Sequence, residues 1–189
     1  MSVEVFIGLD GEMTGSGSPK DYKLIQIGVA TRNGVMFVND IGHDSWVETE
    51  QAMKVNGFTA ERIRAARRSG SVDEALLTWL VGEGIADKKA VPVGWNVGSF
   101  DMPYVRETLP LSARKFGYRA LDLNAVCFTI GEIMGRSWTS VKGYAKKEAA
   151  RRIGGPERWH DAGYDALASI RAWDVLREML VVREIHDHF

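Results

Sequence analysis

The chain has 189 residues, 45% of them hydrophobic and 26% charged, with a formal net charge of -1, a length and balance that fit one globular domain with a sizeable core. Its one cysteine, Cys127, excludes an internal disulfide and a thiolate zinc site and points to a reducing, cytoplasmic setting. No signal-peptide pattern opens the chain and no apolar run approaches the roughly eighteen residues of a membrane span, so a secreted or membrane protein is not expected, and near-neutral charge excludes a histone-like polycation.

Val3 to Leu9 is an apolar, β-favouring run that ends at Asp10 and is followed by glycine breakers, which predicts a buried first strand with an acid at its end. Tyr22 to Thr31 and Val35 to Ile41 predict two more strands, joined by a short link whose Asn33-Gly34 is a hairpin signal. Thr59 to Arg68 and Val72 to Gly82 carry helical spacing, the second opened by a capping box of Ser71 and Glu74. Ala90 to Gly94 predicts a short strand, Ser99 to Glu107 a helix, and Tyr118 to Leu123 a fifth strand. Helices are predicted from about Asn124 to Met134 and from about Thr139 to Arg152. From Ala162 to Val182 the apolar residues Ala166, Leu167, Ile170, Trp173, Leu176 and Leu180 recur at steps of three and four, giving one buried stripe. With no linker or repeat, residues 1–189 predict a single α/β domain with a mixed five-stranded sheet flanked by helices.

Asp10 and Glu12 stand two apart at the end of the first strand, so their side chains leave one face of the sheet. Converging carboxylates repel unless a cation lies between them, and an oxygen-rich set of this kind suits Mg²⁺ or Mn²⁺. Asp101 follows the short strand at Ala90 to Gly94 and opens a helix, where its bland role is to complement the helix dipole. Asp165 opens the long last helix. His160 lies five residues before it on a segment expected to be mobile, and its unperturbed pKa near 6.5 suits a group that takes a proton from an attacking water.

Asp10-Gly11-Glu12, Asn96 with Phe100-Asp101, and His160 with Asp165 together resemble the Exo I, Exo II and Exo III motifs of the DEDDh 3′-5′ exonucleases, in order and over nearly the whole chain. The stretch Asp10 to Gly15 is similar to oligoribonuclease. Gly94-Trp95-Asn96 and Phe100 to Tyr104 are similar to the proofreading domains of family B polymerases. Those domains place a Tyr four residues before the last Asp; here that position is Asp161, so His160 makes the resemblance one to the DEDDh type. The resemblance implies a ribonuclease-H-like fold, two divalent metal ions held by Asp10, Glu12, Asp101 and Asp165, and release of 5′-mononucleotides from the 3′ ends of single-stranded DNA or RNA. It further implies substrate contacts from Met13, Thr14, Asn96 and Phe100. A homodimer or a polymerase is the kind of protein partner it suggests.

Arg136 to Arg158 carries seven basic residues against two acidic ones, and Lys142, Lys146, Lys147, Arg151 and Arg152 are a candidate phosphate track leading to His160. Arg62, Arg64, Arg67 and Arg68 read as a solvated helix face. Two variants of the nuclease reading stay open: clearance of short RNA oligonucleotides, and a catalytically silent module that binds nucleic acid or a polymerase. Asp10, Glu12 and Thr14 with Asp161 and Asp165 also imitate the haloacid dehalogenase-type phosphatases, although Glu12 is the wrong length for that motif and no strand precedes the late acids.

Overall fold

A computed structural model describes residues 4–86 and 89–186; Val3, the expected start of the first strand, lies outside them. An antiparallel meander of β1 (Val5–Met13), β2 (Leu24–Ala30) and β3 (Met36–Gly42) opens the fold, as the three strand runs and the Asn-Gly link predict. After α1 (Glu50–Asn56) and α2 (Ala60–Ala65) come β4 (Arg67–Arg68) and α3 (Ser69–Gly82). Next are β5 (Ala90–Gly94), α4 (Asp101–Thr108), α5 (Pro110–Ala113) and β6 (Leu121–Asp122). The chain closes with α6 (Leu123–Met134), α7 (Trp138–Ile153) and α8 (Ala162–His186). No helix among the described residues is long and apolar enough to cross a membrane.

The sheet has six strands in the order β4-β3-β2-β1-β5-β6, not the expected five. The sixth strand is β4, taken from the end of the helix expected over Thr59 to Arg68. At Ala66 the backbone turns extended, and Arg67 and Arg68 pair with Ile41 and Gly42. Gly42 permits this, because a Cβ there would stand 2.5 Å from the Ala66 carbonyl oxygen. Two residues recruited by a tertiary contact have no periodicity to announce them. The capping box is also absent, since α3 begins at Ser69 with Arg68 at its N-cap. Asp73 is buried and accepts 2.8 Å bonds from the amides of Leu111 and Ser112, which caps α5.

Two cores sandwich the sheet. Ile7, Leu9 and Val29 pack against Val72, Leu76 and Leu80 of α3 and Met102 and Val105 of α4. On the other face Ala30 and Val93 pack against α6, α7 and the stripe Ala166, Ile170 and Leu176 of α8. Because side chains alternate along a strand, the face of β1 opposite Ile7 and Leu9 carries Gly8, Asp10 and Glu12.

Glycines set how near α8 comes. A Cβ on Gly28 would stand 1.9 Å from the Ala162 carbonyl oxygen, and one on Gly8 would stand 2.0 Å from that of Ala166. Gln26 of β2 fixes the end of the helix: its Oε1 accepts from the Ala162 amide at 2.9 Å and its Nε2 donates to Asp40 at 2.9 Å. Asp40 in turn accepts two bonds from Arg62, at 2.7 and 2.9 Å, so Arg62 is an anchor and not the solvated charge expected. Gly28→Ala should therefore destabilise by about 1–3 kcal/mol, the usual range for overpacking. It should also displace the start of α8, which carries Asp165 in its first turn. Gly143→Ala, where a Cβ meets nothing within 4 Å in the interior of α7, is the control that should melt no lower than the unmodified protein.

Candidate active site

β1 pairs with β5 only over Val5 to Gly8, while its pairing with β2 continues to Met13. The end of β1 therefore projects beyond its parallel neighbour, and the acids Asp10 and Glu12 emerge into the notch so left. The register with β2 shifts between Glu12 and Met13, a bulge of the kind that re-aims side chains at the end of a strand. The turn after β5 returns the chain to this notch, where Asp101 in the first turn of α4 accepts a 3.0 Å bond from the Gly11 amide. Asp165, in the first turn of α8, enters from above. Asp10, Glu12, Asp101, Asp165 and His160 line one cavity of about 700 Å³.

The electrostatics are those of anions forced together. Burial first, then Asp101, Asp165 and Glu12, push the Asp10 carboxyl well above its ordinary range, and Lys146 opposes them. Burial and the neighbouring acids push Glu12 up to about 7. Asp101 also rises to about 7 through burial, against the opposing bond from Gly11. Asp165 is raised by burial and held back by the His160 amide and Lys146. Near neutral pH the cluster must hold protons or cations, and its donors are mostly hard oxygens. Ligand atoms of Glu12, His160 and Asp165 lie within 4.8 Å of one another, close enough to share one ion.

A sign follows for pH. Acids whose folded pKa lies above the unfolded value near 4 support the fold at low pH, and that support is lost as pH rises through about 7. A chelated sample should thus lose melting temperature between about pH 5 and pH 8, and the stabilisation by added Mn²⁺ should grow over the same interval as protons leave its ligands. Equal stabilisation by Mn²⁺ at both ends of that range would exclude these acids as its ligands.

The backbone of His160 is tied to Asp165. Its amide donates to Asp165 Oδ2 at 2.8 Å, and its φ is +68°, a left-handed backbone that few residues other than glycine adopt. Asp161 accepts from the Tyr164 amide at 3.0 Å and caps α8. Trp159 packs edge-on against Tyr164, with ring centroids 5.1 Å apart. These contacts hold the ring-bearing residue at the rim of the cavity.

The expected substrate contacts separate into two kinds. Phe100 is 36% exposed and stands between the acidic cavity and a second one of about 290 Å³ that Glu12 and Met13 also line. Thr14 is fully buried: its hydroxyl donates to the Val47 carbonyl at 2.6 Å and accepts from the Lys23 amide at 2.9 Å. Its hydroxyl is thus spent on holding the loop in place. Asn96 is exposed with φ +62°, and its side-chain oxygen accepts from Asn124 at 2.9 Å. The basic stretch also divides. Lys142, Lys146 and Lys147 line the acidic cavity, whereas Arg151 pairs with Glu148 and Arg152 with Glu148 and Glu178. Arg136 and Arg152 line a separate cavity of about 450 Å³. Trp95 and Trp159 line the acidic cavity too, and sequence reasoning missed both. Their only signal is adjacency to Asn96 and His160.

No family model matches the chain, and no curated protein matches it. Solved structures do share its architecture. Escherichia coli exonuclease I in a zinc-bound complex with single-stranded DNA superposes with a TM-score of 0.64 at 17% identity, over 92% of this chain and 40% of that one. Another exonuclease I structure gives a TM-score of 0.69 at 16% identity over the same shares of the two chains. Cell-death related nuclease 4 gives 0.61 at 16% identity, over 94% of this chain and 64% of that one. The chain thus spans about two fifths of the exonuclease I chains it matches. The likeness shows a shared fold, a ribonuclease-H-like mixed sheet flanked by helices.

Proposed function

We propose that the chain is a metal-dependent 3′-5′ exonuclease of the DEDDh type, which hydrolyses the last phosphodiester bond of a single strand and releases 5′-mononucleotides. The observation that carries this reading is the convergence of Asp10, Glu12, Asp101, Asp165 and His160 on one cavity, in a fold that solved nucleases share. The same convergence speaks against a silent binding module, which has no need of four acids at one point.

Asp10, Glu12, Asp101 and Asp165 are the residues that would hold two divalent ions, Mg²⁺ or Mn²⁺. When bound, the ions supply charge neutralisation and stabilise the attacking and leaving oxygens of the displacement. The chain's own residues do the rest. The imidazole of His160 takes the proton from the attacking water, and its backbone bond to Asp165 sets where that ring stands. Phe100, which edges the smaller cavity beside Glu12, holds the terminal nucleotide by apolar contact without reading its sequence, and Met13, 5% exposed and packed in the core, backs the wall of that cavity. Lys146 brings a positive charge beside Asp10 and Asp165, where the scissile phosphate must approach.

The polarity of the reaction tests this directly. A strand with a free 3′-hydroxyl should be shortened one nucleotide at a time with 5′-monophosphates as products, and a 3′-phosphate should block it. Degradation indifferent to the 3′-phosphate, or products appearing first from the 5′ end, would refute the assignment.

A further inference from the structure

Beside the acidic cavity, lysines and tryptophans alternate. Trp138, Lys142 and Lys146 recur every four residues on α7 and so share one face of that helix. Trp95 from the turn after β5 and Trp159 from the turn before α8 stand beside them. The Lys146 ammonium lies 4.2 Å from the Trp159 ring centroid and 6.0 Å from that of Trp95. The Lys142 ammonium lies 4.8 Å from the Trp95 centroid and 5.7 Å from that of Trp138. At the far end Trp138 stacks on Phe128, with centroids 6.0 Å apart. Lys142 is held in place by a 2.8 Å bond to Asn124, the residue that also binds Asn96.

Neither Lys142 nor Lys146 enters an ion pair among the described residues, whereas Arg151 and Arg152 on the same helix do. Two lysines four apart repel and weaken a helix slightly, and Phe128 and Trp138 keep much of their surface in water. Cations alternating with aromatic rings beside the acidic cavity match what a single strand presents: phosphates and unpaired bases in turn.

Resting on the exonuclease reading, we infer that Trp159, Lys146, Trp95, Lys142 and Trp138 form a track for the single strand upstream of its 3′ end, with phosphates at the lysines and bases stacked on the indoles. Its length follows from helix geometry. Eight residues from Trp138 to Lys146 rise about 12 Å, which at about 3.4 Å per stacked nucleotide spans three or four nucleotides.

The test is binding of oligothymidylates of increasing length to the full chain carrying Asp165→Asn, followed by quenching of tryptophan fluorescence. Affinity should rise with length up to about five nucleotides and then level off. Trp138→Ala should lower the ratio of six-nucleotide to two-nucleotide affinity about tenfold, and Trp138→Phe, which keeps a π-face, should restore most of it. Lys142→Gln with Lys146→Gln should flatten the slope of log affinity against log salt by about 1.4, roughly 0.7 for each lysine. If a folded Trp138→Ala protein keeps the ratio, or long strands leave the fluorescence unquenched while the unmodified protein still shortens them, the track is wrong and the exonuclease reading stands. If the unmodified protein neither binds nor shortens any single strand, both fall together.

Discussion

Asp101→Asn should abolish strand shortening and leave the fold intact, melting at least as high as the unmodified protein in chelator at about pH 8. The amide oxygen that the substitution introduces can still accept the bond from Gly11 that the Asp101 carboxylate now accepts, so the geometry of the turn after β5 is kept. What is lost is one negative charge among four. Asp101 is 4% exposed and its carboxyl is pushed up to about 7, so its ionisation at higher pH costs stability on the order of a few kcal/mol. Removing that charge relieves the fold and disarms the site, and the opposite signs of the two effects distinguish a site acid from a structural one. Asp10→Asn, Glu12→Gln and Asp165→Asn should likewise lose activity. A fully active Asp101→Asn protein would remove it from the site.

His160→Ala should cost roughly a hundred- to ten-thousand-fold in rate, the usual contribution of a positioned proton acceptor. The backbone bond to Asp165 needs only the amide of residue 160, so the carboxylate keeps its place and substrate affinity should survive. The ring also lies within ligand distance of Glu12 and Asp165, and a Mn²⁺ titration separates the two roles. A base predicts a large fall in rate with nearly unchanged Mn²⁺ affinity and an altered ascending limb of the pH-rate profile. A ligand predicts that rate and Mn²⁺ affinity fall together, and wild-type rates near neutral pH would leave His160 as a loop residue.

The parts of the architecture with a strong local period could be read from residues alone. β5 coincides with the apolar run Ala90 to Gly94, because Gly94 and the left-handed Asn96 break the chain directly after it. The stripe of α8 follows from its spacing, and the exit of Asp10 and Glu12 on one face follows from the period of a strand. Other features belong to the assembled molecule. β4 pairs where Gly42 admits the Ala66 carbonyl, and α5 is capped by Asp73 from an element far away in sequence. Gly8 and Gly28 lie inside runs that the sequence marks only as strands, yet they admit the Ala166 and Ala162 carbonyls of α8. The same limit applies to charge. Five basic residues of one stretch look alike in sequence, and only the positions of Glu148 and Glu178 separate Arg151 and Arg152 from the three lysines that face the cavity.

The most direct measurement follows a single strand labelled at its 5′ end through time, with Mg²⁺ or Mn²⁺ and with chelator, in the unmodified protein and in Asp165→Asn. The acid cluster and His160 predict a ladder that shortens by single nucleotides from the 3′ end, only with a divalent ion and only when Asp165 is present. Shortening in excess chelator, internal cuts without a ladder, or an undiminished ladder from Asp165→Asn would contradict the account.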